Sequence, residues 1–343
     1  MKKRLFAAGF ALLGALTAIA ATTAGAGTKG DQLVGAGSSF VSPLVSQWQK
    51  DYPSKTGVDI VYSPSGSGAG IAAISSRTVD FGASDAPLTP DQSAGCKGCF
   101  QIPWALGGVA IMVNVKTNAH APLKISGPVL AGIFLGSIKN WNAPAIKKLN
   151  PKIDFPDQPI VPIYRSDGSG TSYAFTDYIA SVSPQWKSKI GVSTQPAFPT
   201  GTGARGSSGV TGLVAKTAGG IAYADIAFAI ANHVPVMAVK NAAGKFQTPG
   251  IVSIGAAAKT IKKVPANNEM HIVNPPKSEP KAYPISTFTY VIIPQQTAKA
   301  PLLKKFVFYA LTSGQQFGVK LRFVPIPKPV LVAAEKTLKK VHS

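Results

Sequence analysis

Along most of the chain, short apolar runs alternate with stretches whose apolar residues recur every three or four positions, the pattern of strands feeding helices. Gln32 to Gly37 reads as a strand, and 43–52 as a helix carrying Leu44, Val45, Trp48 and Tyr52 on one face. Further strands are predicted at 58–63, 78–84, 108–115, 160–165, 220–224 and 284–293. Helices are predicted from Ala69 onward and over 127–136, 143–149, 172–182, 208–217, 297–311 and 329–340. Such alternation argues for an α/β fold with open sheets. At 343 residues the chain exceeds one ordinary core and suits two lobes. No internal repeat or long low-complexity linker separates them, so the chain is expected to cross between lobes more than once.

Composition adds detail. A hydrophobic fraction of 45% with 34 Gly and 28 Pro fits a globular protein rich in strand–loop–helix junctions. Lys2, Lys3 and Arg4 precede an apolar run from Leu5 to Ala21, and Ala24, Gly25 and Ala26 offer a cleavage site: a signal peptide is expected over 1–26. The alternative is an uncleaved anchor, but Gly9, Gly14 and the small-residue tail favour cleavage. No Cys near the signal provides a lipid attachment point, and no later stretch is apolar enough to span a bilayer. A soluble periplasmic or secreted protein follows as the expectation.

Charge is lopsided, 35 Lys plus Arg against 14 Asp plus Glu. An anionic partner is one explanation. Nucleic acid would call for arginines and aromatics interleaved on one face, whereas these cations are mostly scattered lysines, and a solvated basic surface is the plainer reading. Cys96 and Cys99 read first as a local disulfide in an oxidising compartment. Redox and metal roles remain alternatives, but zinc would need two further ligands and the chain has only four His.

Chemistry gathers in three junctions of one composition: Gly35 to Phe40, Ser63 to Gly68, and Tyr164 to Ser172. In each, glycines let backbone approach a ligand and hydroxyls follow at a helix start, where free N–H groups and the helix dipole favour an anion. One such loop is usually an ordinary cap and turn; three in one chain, one of them with Arg165, point to an oxyanion. Arg165 brings a planar donor fork. Asp167 either holds that guanidinium or caps the helix. Asp85, ending a strand in Asp80 to Leu88, ought to repel an anion unless the ligand carries a proton, because a carboxylate only accepts. Phosphate near neutral pH has a P–OH and sulfate has none, so Asp85 would admit one and penalise the other.

The segments GAGSSF at 35–40, TVDFGASDAPL at 78–88 and RSDGSGTS at 165–172 resemble the periplasmic phosphate-binding proteins of Pst-type ABC transporters. Similarity continues through 103–114, 133–141, 219–223 and the strand after Pro284. The resemblance implies a type II periplasmic-binding-protein fold: two α/β lobes, open sheets flanked by helices, and ligand in the interlobe cleft. It divides the chain into the signal peptide, lobe I over 27–105 and 285–343, and lobe II over 106–284. It further implies phosphate contacts from the Ser39 hydroxyl, the Phe40 N–H, Ser67, Asp85, Arg165 oriented by Asp167, and Ser169, Gly170 and Thr171. Phosphate, a membrane permease and its ATPase are the implied partners; no catalysis, cofactor, metal or nucleic acid is implied, and a monomer is expected. Three departures stand out: Ser for Thr at position 39, the second loop's SPSGSGAG, and the Cys pair.

Three other classes compete. An enzyme would show a nucleophile elbow, ligand-spaced histidines or a Walker sequence, and none occurs. Gly201 to Gly206 fits a dinucleotide fingerprint, but no clear strand precedes it, so it reads as a loop near the cleft. A carrier for another oxyanion would not discriminate through Asp85. A DNA-binding protein would lose affinity steeply with salt.

Overall fold

The computed structural model describes residues 31–343; the expected signal peptide lies outside the described residues. Strand β1 (Gln32–Gly37) leads into α1 (Ser42–Thr56), β2 (Asp59–Ser63) into α2 (Ser67–Ser75), and β3 (Phe81–Ser84) into α3 (Pro90–Gly95). The long β4 (Cys99–Asn114) is followed by β5 (Lys124–Ile125), α4 (Gly127–Phe134) and α5 (Pro144–Leu149). Next come β6 (Val161–Arg165), α6 (Gly170–Val182), α7 (Pro184–Lys189), β7 (Thr202–Ala204) and α8 (Gly206–Lys216). Then β8 (Gly220–Asp225), α9 (Ile226–Ala231), β9 (Ala238–Lys240), β10 (Phe246–Gln247) and α10 (Ile251–Ala258) follow. Finally, β11 (Ser286–Pro294), α11 (Ala300–Leu311), two 3-10 turns and α12 (Lys328–Leu338) end the chain.

Eight strands form one curled sheet in the order β2-β1-β3-β11-β4-β8-β6-β7, and β10-β9-β5 form a small second sheet. Within the large sheet, β1, β2 and β3 are parallel on one side, and β6, β7 and β8 on the other. Strand β4 joins the halves: Cys99 to Gly108 pair with β11, and Val109 to Asn114 pair with β8. This α/β, two-lobed plan is the one expected. Each side has its own aromatic centre. Trp48, Trp104 and Phe306 pack edge to face on the first, with Trp48 and Trp104 centroids 5.0 Å apart. On the second, Phe134 packs edge to face on Phe175 and tilted on Tyr223, and Phe175 stacks 4.1 Å from Tyr223. A continuous apolar core runs between the two. No described helix is long and apolar enough to cross a membrane.

Helix α1 shows why the pattern was readable. Leu44, Val45, Trp48 and Tyr52 are its buried face, and Gly57 ends it at φ 70, donating its N–H to the Pro53 carbonyl at 2.8 Å. Other boundaries moved. Strand β4 starts nine residues before the expected Gly108, because Pro103 sits at a register shift opposite Thr289 and Tyr290, where a missing N–H is tolerated. Strand β3 begins at Phe81 instead of 78, since the chain turns through Arg77 at φ 58 and Asp80 accepts the Val34 N–H. Residues 201–206 are a correction: Thr202–Ala204 form an edge strand on β6 and run into α8, so the fingerprint is a strand–turn–helix and not a loop. Cys96 and Cys99 form a disulfide at the entrance to β4, where Arg77 Nη2 donates to the Cys96 carbonyl at 2.8 Å.

Candidate functional site

Helices α2, α6 and α8 each begin two residues earlier than the apolar pattern suggested, inside their Gly/Ser runs. The first turn of a helix holds its free N–H groups. Beginning early therefore places Ser67, Gly170 and Ser207 in those first turns. The carboxyl ends of two parallel sets, β1, β2 and β3 on one side and β6 and β7 on the other, face a common crevice, the usual place for ligands in open α/β sheets. β1 delivers Ser38 to Phe40, β2 delivers Ser67, β3 delivers Asp85, β6 delivers Arg165, and β7 delivers Gly206 and Ser207.

Arg165 and Asp167 form a fork-to-fork pair: Nε donates to Oδ1 at 2.7 Å and Nη2 to Oδ2 at 2.5 Å. The Arg165 side chain is 1% exposed, so it is a fixed cation in a dry place. Asp167 also accepts the Gly206 N–H at 3.0 Å. Burial works to raise its pKa, but the bonds and charge of Arg165, with Gly206, outweigh burial and leave it lowered. Of the two sequence readings, holding the guanidinium is the one realised. The remaining nitrogen, Nη1, points at the hydroxyls of Thr171 (3.5 Å) and Ser207 (3.4 Å).

Asp85 is fully buried. Its Oδ1 accepts from the hydroxyls of Ser38 (2.5 Å) and Thr289 (2.8 Å), and its Oδ2 accepts from Thr171 (3.3 Å). Burial pushes its pKa up to about 6 against the pull of these donors and of Arg165. Asp85 and Arg165 thus share the Thr171 hydroxyl.

The remaining expected residues gather here too. Ser39 Oγ lies 3.0 Å from Ser207 Oγ and accepts the Ser207 N–H at 3.0 Å. Phe40 N–H donates to Ser38 Oγ at 3.1 Å. Ser67 Oγ accepts from the N–H groups of Gly170 (3.0 Å) and Asp85 (3.3 Å). Ser169 caps α6, accepting the Ser172 N–H at 3.1 Å. Every expected residue is therefore within this one crevice. Three were missed: Ser38, Ser207 and Thr289. The glycines of 201–206 were a usable signal for Ser207. Thr289, the second of two threonines in the first half of β11, carried none.

Asp225 ends β8 close by. Its Oδ1 caps α9 through the Ala227 N–H at 2.8 Å, while Oδ2 meets no hydrogen-bonding partner among the described residues. Burial first, and the field of Asp85 with it, pushes its pKa well above the carboxylate range. No cluster of three or more His, Cys, Asp or Glu is placed to hold a metal ion among the described residues.

A strap over 267–274 crosses the crevice beside a cavity of about 30 Å³ lined by Asp85, Pro87, Tyr173, Asp177, Glu269 and His271. Asn268 fastens one end, donating to the Gln101 carbonyl (2.9 Å) and Thr337 Oγ1 (3.0 Å). At the other end His271 Nε2 meets Asp177 Oδ2 on α6 at 2.5 Å. The bond to Asp177 raises the His271 pKa above 6.5 against the opposing effect of burial. Its contribution is therefore complete below the unfolded value and lost as pH rises through the raised one. Thermal melts between pH 6 and 8 should fall more steeply for the unchanged protein than for His271→Ala; equal slopes would exclude this coupling.

The fold and site define a two-lobed α/β protein whose facing strand ends bring backbone amides, hydroxyls, a buried carboxylate and one guanidinium into a single crevice. Residues 22–313 match the family model described as PBP superfamily domain. The chain is 39% identical over 303 residues to phosphate-binding protein PstS of Xylella fastidiosa, covering 88% of this chain and 83% of that one. It is 35% identical over 320 residues to PstS of Pasteurella multocida, covering 92% of each. It belongs to the phosphate-binding protein PstS family within that superfamily. Among solved structures, it is similar to PfluDING, described as a high affinity periplasmic phosphate-binding protein bound with phosphate, at a TM-score of 0.72 and 22% identity over 89% of this chain and 93% of that one. The phosphate binding protein of Stenotrophomonas maltophilia gives a TM-score of 0.72 at 21% identity with the same coverage. These two likenesses bear on the fold.

Proposed function

We propose that this chain is the carrier of a phosphate importer: exported by its signal segment, it encloses inorganic phosphate in the periplasm and delivers it to a membrane permease driven by an ATPase. The observation that carries this reading is that a fully buried carboxylate and a fixed guanidinium share one hydroxyl, Thr171. Such a pair suits a tetrahedral anion that still has a hydrogen to give. Ser39, the Phe40 N–H, Ser67 and Asp85 belong to the first lobe, and Arg165, Ser169, Gly170 and Thr171 to the second, with Asp167 behind Arg165. The lobes are 27–105 with 285–343, and 106–284, a division supported by the exchange of β4 partners at Gly108 and Val109. The carrier reading, as opposed to an enzyme, rests on the PstS relatives and on a site made of binding groups.

Closure follows from glycines that meet across the cleft. Gly68 N–H donates to the Gly168 carbonyl at 2.9 Å. A Cβ at Gly170 would stand 2.5 Å from Ala86 N and 2.6 Å from Asp85 N. Gly170→Ala should therefore fold yet close poorly, at a cost of about 1–3 kcal/mol, or roughly five- to hundredfold in phosphate affinity. Calorimetry reads the affinity, and scattering should show less compaction than in the unchanged protein; undiminished affinity would contradict the steric argument. For the function itself, phosphate should give saturable one-to-one heat and reduce the radius of gyration. An unchanged scattering profile and no heat would refute it.

A further inference from the structure

The hydroxyl of Ser38 has little freedom. Its oxygen accepts the Phe40 N–H at 3.1 Å at the start of α1, which leaves its hydrogen for Asp85 Oδ1 at 2.5 Å. Thr289, from the antiparallel strand β11 on the other side, donates to the same oxygen at 2.8 Å. A carboxylate oxygen has two lone-pair sites, and here both are taken by donors. A proton on Oδ1 would face two donors, so Oδ1 stays bare. Oδ2 takes only the longer Thr171 bond.

We infer that Ser38 and Thr289 are specificity-determining positioning residues: by occupying Oδ1 as donors they keep Asp85 a pure acceptor, with Oδ2 alone turned to the ligand. This rests on the phosphate reading above. A carboxyl that kept its proton would become a donor on Oδ2 and would welcome sulfate, which has only acceptors at neutral pH. Burial pushes Asp85 toward that protonated form, and the two hydroxyls work against burial. Other groups act on the same carboxyl. Arg165 on β6 favours the ionised form. Asp225 on β8 is coupled to it as a second carboxyl. Tyr62 on β2 donates to the Ser38 carbonyl at 2.7 Å, and Asp167 stands behind Arg165. Tyr173 and Asp177 on α6, Glu269 and His271 on the strap, and Tyr290 on β11 line the cavity beside Asp85, and all stay the same in every variant.

The test is a pair of calorimetric titrations, inorganic phosphate and inorganic sulfate, on the unchanged protein and on Ser38→Ala, Thr289→Val and the double variant from pH 5 to 8. Each lost hydroxyl should reduce the phosphate-to-sulfate affinity ratio about ten- to hundredfold at neutral pH. The pH below which sulfate begins to bind should rise by roughly one to two units per hydroxyl. Sulfate does not titrate in this range, so the shift reports the protein. Ser38→Thr and Thr289→Ser keep the hydroxyl and should keep both the ratio and the pH midpoint. If they shift these as far as the deletions do, packing is responsible and the inference fails. It fails equally if the deletions leave ratio and midpoint unchanged. Should the unchanged protein bind no phosphate, the functional reading itself falls; if it binds phosphate and rejects sulfate, that reading stands and the variants alone decide the inference.

Discussion

Arg165→Ala should abolish phosphate binding in the micromolar range while leaving a folded protein. Two losses combine. The ligand loses the one Lys or Arg that is buried among the described residues, and Asp167 is left ionised and largely buried without its fork-to-fork partner. Removing one member of a buried charge pair costs about 2–5 kcal/mol, or roughly thirtyfold to several thousandfold in affinity. The orphaned Asp167 also disturbs Gly206, whose N–H it accepts at 3.0 Å, and through it the start of α8. Arg165→Lys should recover little, because a single ammonium cannot hold both Asp167 oxygens and reach Thr171 and Ser207 as well. Calorimetric titration measures the effect. Near-normal affinity for Arg165→Ala would mean that the amides and hydroxyls suffice without the guanidinium.

Asp85→Asn is expected to trade selectivity for stability. The Asn oxygen can take the place of Oδ1 and keep the donors Ser38 and Thr289, which puts the NH2 where Oδ2 stood. The site then offers a donor where it had an acceptor. Sulfate gains a partner and phosphate loses one, so discrimination should fall from roughly 10⁴-fold toward about tenfold. Stability moves the other way. The folded pKa of about 6 lies above the usual 3.8, so ionisation destabilises the fold progressively from pH 3.8 to 6 and fully above it. That corresponds to about 3 kcal/mol at neutral pH. Asp85→Asn should therefore melt a few degrees higher at pH 7 and no higher at pH 3. A lower melting point at pH 7 would show that the carboxylate stabilises the fold, contrary to this account.

Much of the architecture was legible because burial writes itself into periodicity. The face of Leu44, Val45, Trp48 and Tyr52 marks α1, and the apolar run through Val113 marks the inner part of β4. What escaped was structure without that signature. Strand β7 is an edge of three residues, two of them exposed, so Thr202 to Ala204 show no apolar alternation. The outer half of β4 was hidden by Pro103, which only the register shift makes acceptable. Helix starts were misplaced where glycine and serine served function instead of propensity, at Ser67, Gly170 and Gly206.

The site divides in the same way. Asp85 and Arg165 stood out because a charge beside a glycine-rich turn has few structural uses. Ser207 directly follows a segment, Gly201 to Gly206, noticed only for its glycines. Ser38 precedes a serine already given a role, and Thr289 comes from a strand more than two hundred residues away from the carboxylate it serves. Contacts of that span are set by strand order, with β11 between β3 and β4, and local sequence does not encode it.

Under the proposed mechanism, the closed cleft requires a hydrogen on its tetrahedral guest. Side-by-side calorimetric titrations of the unchanged protein with phosphate and sulfate at pH 7.5 (about the physiological value) test it most directly. Phosphate should bind tightly and one to one, and sulfate roughly 10⁴-fold more weakly. Sulfate binding as tightly as phosphate would contradict that requirement.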